Sequence, residues 1–379
     1  MKKLLALALV VALCLGSVSM AVAEEKILLG CLQDVTGPTS SLGNMVYQGA
    51  LWAMEEINAA GGIGGKMVEL KIYDTTGSVD EAIKGYTKAC DVDKVSAIIG
   101  PPVGNIALAI APMSEQYDVP IISFAVDPKT IIGESGLYKN MFLMQPNSNQ
   151  LAATMASYAV KEMGLKTFAI LCNEQNSYAT ALRDGFIEAV KPLGGEIVAN
   201  EGYNADNKDF NTLLTKVMMY QPDAIYANNY TADLVLTVQA AEAVGYEGWI
   251  ICGLDGCPPF NNIVEGVDDL SKVMFINNVD DTAPEMVAMI ADIKSKIGVD
   301  ATNKFFMGYD AMNILGGIIG QVGTDSVAIR EKIAQVSGYE GLTGSITINP
   351  ETHMTDGLEM CIFVYEGKTP VMQKRYAAE

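Results

Sequence analysis

Short apolar runs alternate with longer segments whose apolar residues recur at helical spacing, and this alternation governs most of the chain. Residues 26–31 read as a strand. Residues 45–60 place Val46, Ala50, Ala53, Met54 and Ile57 on one helical face. The glycine run at 61–65 ends that helix, and 67–73 is the next strand. Residues 78–90 then read as helix, 97–99 as a buried strand, 107–117 as helix and 120–123 as strand. Strands that alternate with helices predict a parallel sheet, because each helix carries the chain back over the sheet and covers one of its faces.

The rhythm restarts after Gln145-Pro146. Helices are expected at 149–163, 179–190, 210–219 and 233–244, and strands at 167–171, 196–201, 224–226, 249–252 and 273–276. Two runs of one pattern predict an α/β fold of two doubly wound parallel-sheet lobes, with a strand order that the pattern leaves open. Residues 285–337 read as helical throughout, followed by strands at 346–348 and 361–365. Helices alone would have no sheet to cover, so this portion is expected to return to the first lobe and the last strands to the second. The expected lobes are 24–145 plus 278–350, and 146–277 plus 351–379. Crossings near Gln145, Asn277 and Pro350 would make a three-segment hinge, with a ligand cleft between the lobes.

Residues 1–23 stand outside this scheme. Lys2 and Lys3 precede an apolar run at 4–15, and Ala21-Val22-Ala23 supplies small residues at cleavage spacing. The run is too short to span a bilayer, so it reads as a secretory signal peptide. A membrane anchor is the alternative, and lipid attachment at Cys14 is disfavoured by the large Leu13 before it. Cleavage leaves 356 residues with a net charge of −22, the whole chain carrying −20. Two domains are natural at that length. Such an acidic chain repels phosphate backbones, so no nucleic acid is expected. Six cysteines remain: Cys31, Cys90, Cys172, Cys252, Cys257 and Cys361. A bridge between Cys252 and Cys257 would close a tight loop, while Cys31 and Cys172 sit in strand-like runs where free thiols are common.

Motifs for catalysis are scarce. His353 is the only histidine, and its Thr-His-Met context reads as an exposed turn. That leaves no catalytic residue, no metal site and no cofactor to assign. No phosphate loop occurs, and the glycines at 61–65 follow a helix instead of a strand, the reverse of a dinucleotide fingerprint. Polar and aromatic residues do recur just after strand ends, the edge that faces the ligand crevice in open parallel sheets. Gly104 and Asn105 follow a buried strand and open a helix whose free N–H groups suit an anion. Ala125 and Asp127 follow the fourth strand. Tyr178, Tyr230 and Asp255 follow strands of the second run. Each alone reads equally as a cap or turn residue.

The strings Val35-Thr36-Gly37-Pro38, Gly49-Ala50, Glu56-Ile57-Asn58-Ala59-Ala60-Gly61-Gly62-Ile63, Ile98-Ile99-Gly100-Pro101, Val119-Pro120-Ile121-Ile122-Ser123 and Tyr309-Asp310-Ala311 occur in that order, with a further strand at 344–349. Together they resemble the periplasmic binding proteins for branched-chain amino acids (leucine, isoleucine, valine) that serve ABC importers, the type I periplasmic binding protein fold. The resemblance implies a non-enzymatic, extracytoplasmic, monomeric protein that closes on a small ligand and then docks on a membrane ABC permease. It implies that Tyr178 and Tyr230 touch the ligand and that Asp255 pairs with its ammonium. It also implies departures. Gly104 stands where the family has a carboxylate-binding serine, leaving backbone groups and Asn105. Ala125 and Asp127 replace a small residue and a threonine, and Leu42 replaces an aromatic. Two cleft acids favour a ligand with positive charge, an amino acid first and an amine or amide second. The rival readings are a ligand sensor acting with a membrane receptor, a gene regulator, which would need a basic head, and a dehydrogenase, which would need a dinucleotide fingerprint.

Overall fold

The computed structural model describes residues 26–377. The signal peptide expected at 1–23 lies outside them. The chain opens with β1 (Ile27–Gln33), α1 (Ser40–Ala59), β2 (Val68–Asp74), α2 (Val79–Thr87), β3 (Ile98–Ile99), α3 (Gly104–Ser114) and β4 (Ile121–Ser123). A small hairpin of β5 (Ile132–Gly133) and β6 (Gly136–Leu137) precedes β7 (Met141–Leu143). The second run holds α4 (Ser148–Ser157), β8 (Thr167–Asn173), α5 (Ser177–Val190), β9 (Glu196–Tyr203), α6 (Phe210–Met218), β10 (Ala224–Tyr226), α7 (Thr231–Val244), β11 (Trp249–Ile251) and β12 (Val273–Asn277). Three helices follow, α8 (Pro284–Ile297), α9 (Asn303–Val322) and α10 (Ser326–Ile333), broken apart at Gly298 and Gly323. Both glycines hold positive φ, 73° and 75°, which suits a residue without a Cβ at a helix end. The hairpin β13 (Tyr339–Gly341) and β14 (Gly344–Ile346) and the pair β15 (Met360–Glu366) and β16 (Thr369–Tyr376) complete the chain.

The first sheet runs β2-β1-β3-β4-β7, all parallel. The second runs β9-β8-β10-β11-β12 in parallel, then adds β15 and β16 antiparallel at its edge. The parallel part of each sheet therefore repeats one strand order, which reverses beside its first strand. That reversal leaves a crevice at the carboxyl ends of the flanking strands. Residues alternate between faces within a strand. Phe168, Ile170 and Cys172 of β8 pack under α4 and α5, while Ala169 and Leu171 face α6 and α7.

Helix α9 covers the first sheet together with α1. Their backbones almost touch: a Cβ on Gly49 would stand 1.8 Å from the Phe305 carbonyl oxygen, and one on Gly308 would stand 2.0 Å from that of Val46. Between the sheets the chain passes through 144–147, 278–283 and 347–359. The first and third passages lie together. Gln150 Nε2 donates to the Thr355 carbonyl at 2.9 Å, and the Leu143 amide donates to the His353 carbonyl at 2.9 Å.

Two expectations fail here. His353 is not on an exposed turn: only 7% of its surface is accessible, its ring stacks on Phe142 at 4.1 Å, and Nδ1 lies 3.2 Å from the Met141 carbonyl. The turn is real, with φ 55° at His353, but it folds inward against β7. Nor do Cys252 and Cys257 form a bridge. All six described cysteines are free and buried, and the two thiols point instead at the Met274 and Ile276 carbonyls of β12.

Candidate ligand-binding site

Every residue proposed from sequence lies beyond the carboxyl end of a strand. Gly104 is the first residue of α3, after β3; Asp127 follows β4; Tyr178 lies in the first turn of α5, after β8; Tyr230 caps α7, after β10; Asp255 follows β11. These edges of the two sheets face each other across one cavity of about 530 Å³, counted with its open mouth. Gly104, Asp127, Tyr178, Tyr230 and Asp255 all line it. Asp127 and Asp255 thus meet one gap from opposite sheets.

The local chemistry holds each group in place. Asp255 Oδ1 accepts from the Thr231 amide at 3.2 Å and from its hydroxyl at 2.8 Å, which joins the turn after β11 to the start of α7. Asp127 Oδ1 accepts from the Lys129 amide at 2.9 Å. Burial pushes the Asp127 carboxyl above the usual carboxylate range, against that hydrogen bond. Tyr178 and Tyr230 stack with ring centroids 5.5 Å apart and planes at 15°. Burial and the nearby Asp255 charge both raise the Tyr178 phenol well above its ordinary value, so it stays a donor. Helix α3 starts at Val103-Gly104 without a side-chain cap.

Two of the proposed residues do not line the cavity. Asn105 turns away and bridges the gap: its Nδ2 donates to the Gln175 carbonyl at 3.3 Å, and its Oδ1 accepts from the Ser177 amide at 3.2 Å. Ala125 is buried behind the wall, its amide 3.2 Å from Ser123 Oγ, while its neighbours Phe124 and Val126 line the cavity.

Sequence reasoning missed three features. Lys304, in the first turn of α9, lines the cavity and donates from Nζ to the Leu254 carbonyl at 3.0 Å. No motif marks it; only the return of the third portion to the first sheet could have drawn attention to its position. Gln145 lines the cavity with 4% of its surface exposed, donates to the Phe124 carbonyl, and leaves Oε1 without a partner. The remaining wall is apolar, formed by Leu42, Val46, Pro102, Leu254 and Met307. Leu42, where the resemblance implied an aromatic, lies at the mouth. Orphaned polar atoms lie in and around the site: Gln145 Oε1 and the Tyr178 hydroxyl belong to lining residues, while the Ser177 hydroxyl, beside Gly104, and Asn228 Oδ1 lie behind the lining, all buried and unpaired. Buried polar atoms normally have partners, so this cluster fits a cavity shaped for a polar guest.

A family model described as periplasmic binding protein matches residues 26–370. This chain belongs to the periplasmic binding protein family. A leucine-, isoleucine-, valine-, threonine- and alanine-binding protein of Pseudomonas aeruginosa is 25% identical over 337 residues, 87% of this chain and 88% of that one. The fold superposes on a leucine binding protein from Thermotoga maritima with a TM-score of 0.82 and 26% identity, covering 92% of this chain and 98% of that one. It also superposes on a branched-chain amino acid transporter substrate binding protein of Streptococcus pneumoniae, solved with isoleucine, with a TM-score of 0.82 and 22% identity, over 93% and 99% of the two chains. The two-lobed, type I periplasmic binding fold expected from the sequence is therefore the fold of this family member. Among the described residues no helix is long and apolar enough to cross a membrane, and no group of three or more His, Cys, Asp or Glu could hold a metal.

Proposed function

We propose that this protein captures a small amino acid outside the cytoplasm by closing two lobes on it, and delivers it to a membrane ABC permease. The observation that carries this is the placement of Asp127 and Asp255 on opposite walls of one mostly apolar cavity, beside the uncapped start of α3. An α-amino acid needs an acceptor for its ammonium, donors for its carboxylate and apolar walls for its side chain. Asp255 serves the ammonium, and the first amides of α3, aided by the helix dipole, serve the carboxylate. Tyr178 and Tyr230 close over the ligand as a stacked pair. The lobes comprise residues 24–145 plus 278–350 and 146–277 plus 351–379, and bending occurs in the three passages between the sheets. The names of the relatives support amino acids as the ligand class.

The charges refine the class. Asp127, Asp255 and Lys304 give the cavity one net negative charge, and the unpaired Gln145 Oε1 adds an acceptor. This favours an amino acid whose side chain ends in a hydrogen-bond donor over a purely aliphatic one. The same excess of acceptors supports a second reading, an amine or amide sensed together with a membrane receptor. Mass spectrometry of the small molecule released by denaturing the purified protein tests both. It is backed by thermal denaturation with a panel of amino acids, amines and amides, since a ligand that binds only the folded state raises the melting temperature. An α-amino acid in both assays supports transport; an amine without a carboxylate supports the second reading; turnover of the ligand would overturn both.

A further inference from the structure

The starts of two helices meet across the cleft. Helix α3 begins at Gly104 on the first sheet's side, and α5 begins at Ser177 on the second's. Asn105 ties them together through its bonds to Gln175 and Ser177. Both helices present the positive end of their dipole, so bringing them head to head is unfavourable unless negative charge lies nearby. Position 104 carries no side chain, and the space it leaves is taken from the opposite side: a Cβ on Gly104 would stand 2.2 Å from the Ser177 hydroxyl oxygen. That oxygen is sealed from solvent and has no hydrogen-bond partner.

A buried hydroxyl without a partner is costly, and a helix start without a cap leaves amides equally unserved. One guest resolves both. We propose that Ser177 is a ligand-binding residue, which reaches across the cleft into the gap left by Gly104 and donates its hydroxyl to the ligand's carboxylate at the start of α3. The proposal rests on the amino-acid reading given above. It means that the first lobe alone offers the carboxylate only backbone amides, and that the side-chain donor arrives with the second lobe. Recognition of the carboxylate and closure then become one event, and an anion between the two helix starts relieves their repulsion.

The test uses the mature protein and, as probe, the standard α-amino acid that most raises the wild-type melting temperature. Calorimetric titration of Ser177→Ala should show affinity lowered about 10- to 100-fold, the range for a hydrogen bond to a charged group. Its ligand-free melting temperature should not fall, because the substitution removes an unpaired buried oxygen. Gly104→Ser alone should bind poorly, since the added Cβ meets the Ser177 hydroxyl. Gly104→Ser combined with Ser177→Gly, which moves the hydroxyl to the other lobe, should recover most of the loss. Ser177→Ala that binds as tightly as wild type overturns the proposal and leaves the amino-acid reading standing. Weakened binding with a lowered ligand-free melting temperature and no recovery in the double variant also overturns it, in favour of a structural serine. If no amino acid binds the wild type, the functional reading falls and this proposal falls with it.

Discussion

Asp255→Asn separates charge from structure at the site. The asparagine keeps an oxygen where Asp255 Oδ1 accepts the Thr231 amide and hydroxyl, so the junction between the turn after β11 and α7 should survive. What disappears is the carboxylate charge that, in the proposed reading, faces the ligand's ammonium. A hydrogen bond to a charged group contributes about 1.5–3 kcal/mol, and each 1.36 kcal/mol is a factor of ten, so affinity should fall about 10- to 150-fold. Asp255→Ala removes the charge and also strands both Thr231 donors. Its loss of affinity should reach about 2–5 kcal/mol, or roughly 30- to 4,000-fold. The assay is calorimetric titration of wild type and both variants with the amino acid identified by mass spectrometry. Thermal denaturation without ligand runs in parallel: Asn should melt near wild type, and Ala should melt lower. If Asp255→Asn binds as tightly as wild type, Asp255 does not hold the ammonium, and the ligand does not lie with that end toward the turn after β11.

Other variants probe the frame and the charge balance. Lys304→Met removes the cavity's cation and its bond to the Leu254 carbonyl; titration should show an ordinary neutral amino acid bound about 2- to 10-fold more weakly, with arginine and lysine gaining relative to it. Gly308→Ala should destabilise the protein by about 1–3 kcal/mol in chemical denaturation, because its Cβ would meet the Val46 carbonyl at 2.0 Å. Helix propensity alone predicts a gain of about 1 kcal/mol, so a stabilised variant would refute the close contact of α1 and α9. His353 is a pH probe. Burial lowers its folded pKa, and nearby Arg330 lowers it further, against the hydrogen bond to Met141. A base depressed on folding contributes stability that is complete above its unfolded pKa of about 6.5 and is lost as pH falls through the folded value. Denaturation at pH 7 and pH 5 should show a larger acid loss in wild type than in His353→Asn, whose asparagine tolerates the left-handed φ.

Much of the fold was legible because parallel strands buried on both faces leave continuous apolar runs, as in 27–33 and 167–173, and because their covering helices carry a clear face. Strand order was not legible, since every parallel strand looks alike from its own sequence. The three residues of β7 were too few to stand out. Strand β16 lies at the sheet edge with mixed polar residues and gave no apolar signal. The site was legible where position after a strand carried it, as for Asp127, Tyr178, Tyr230 and Asp255. It was not legible where long-range packing did so: Lys304 enters from a helix far along the chain, Asn105 is drawn to the opposing loop, and the Ser177 hydroxyl fills the space that Gly104 leaves empty. His353 was misread because polarity and turn context say nothing about an aromatic partner such as Phe142.

The backbone contact between α1 and α9 bears on the timing of assembly. The first sheet is made early, yet one of its faces is covered only in part, by α1, until residues 303–322 have followed. The parallel core of the second sheet is complete in sequence by Asn277, before that helix exists. Both halves are thus finished late: the first waits for α9, and the second for β15 and β16 at its edge, so neither is complete until most of the chain has been made.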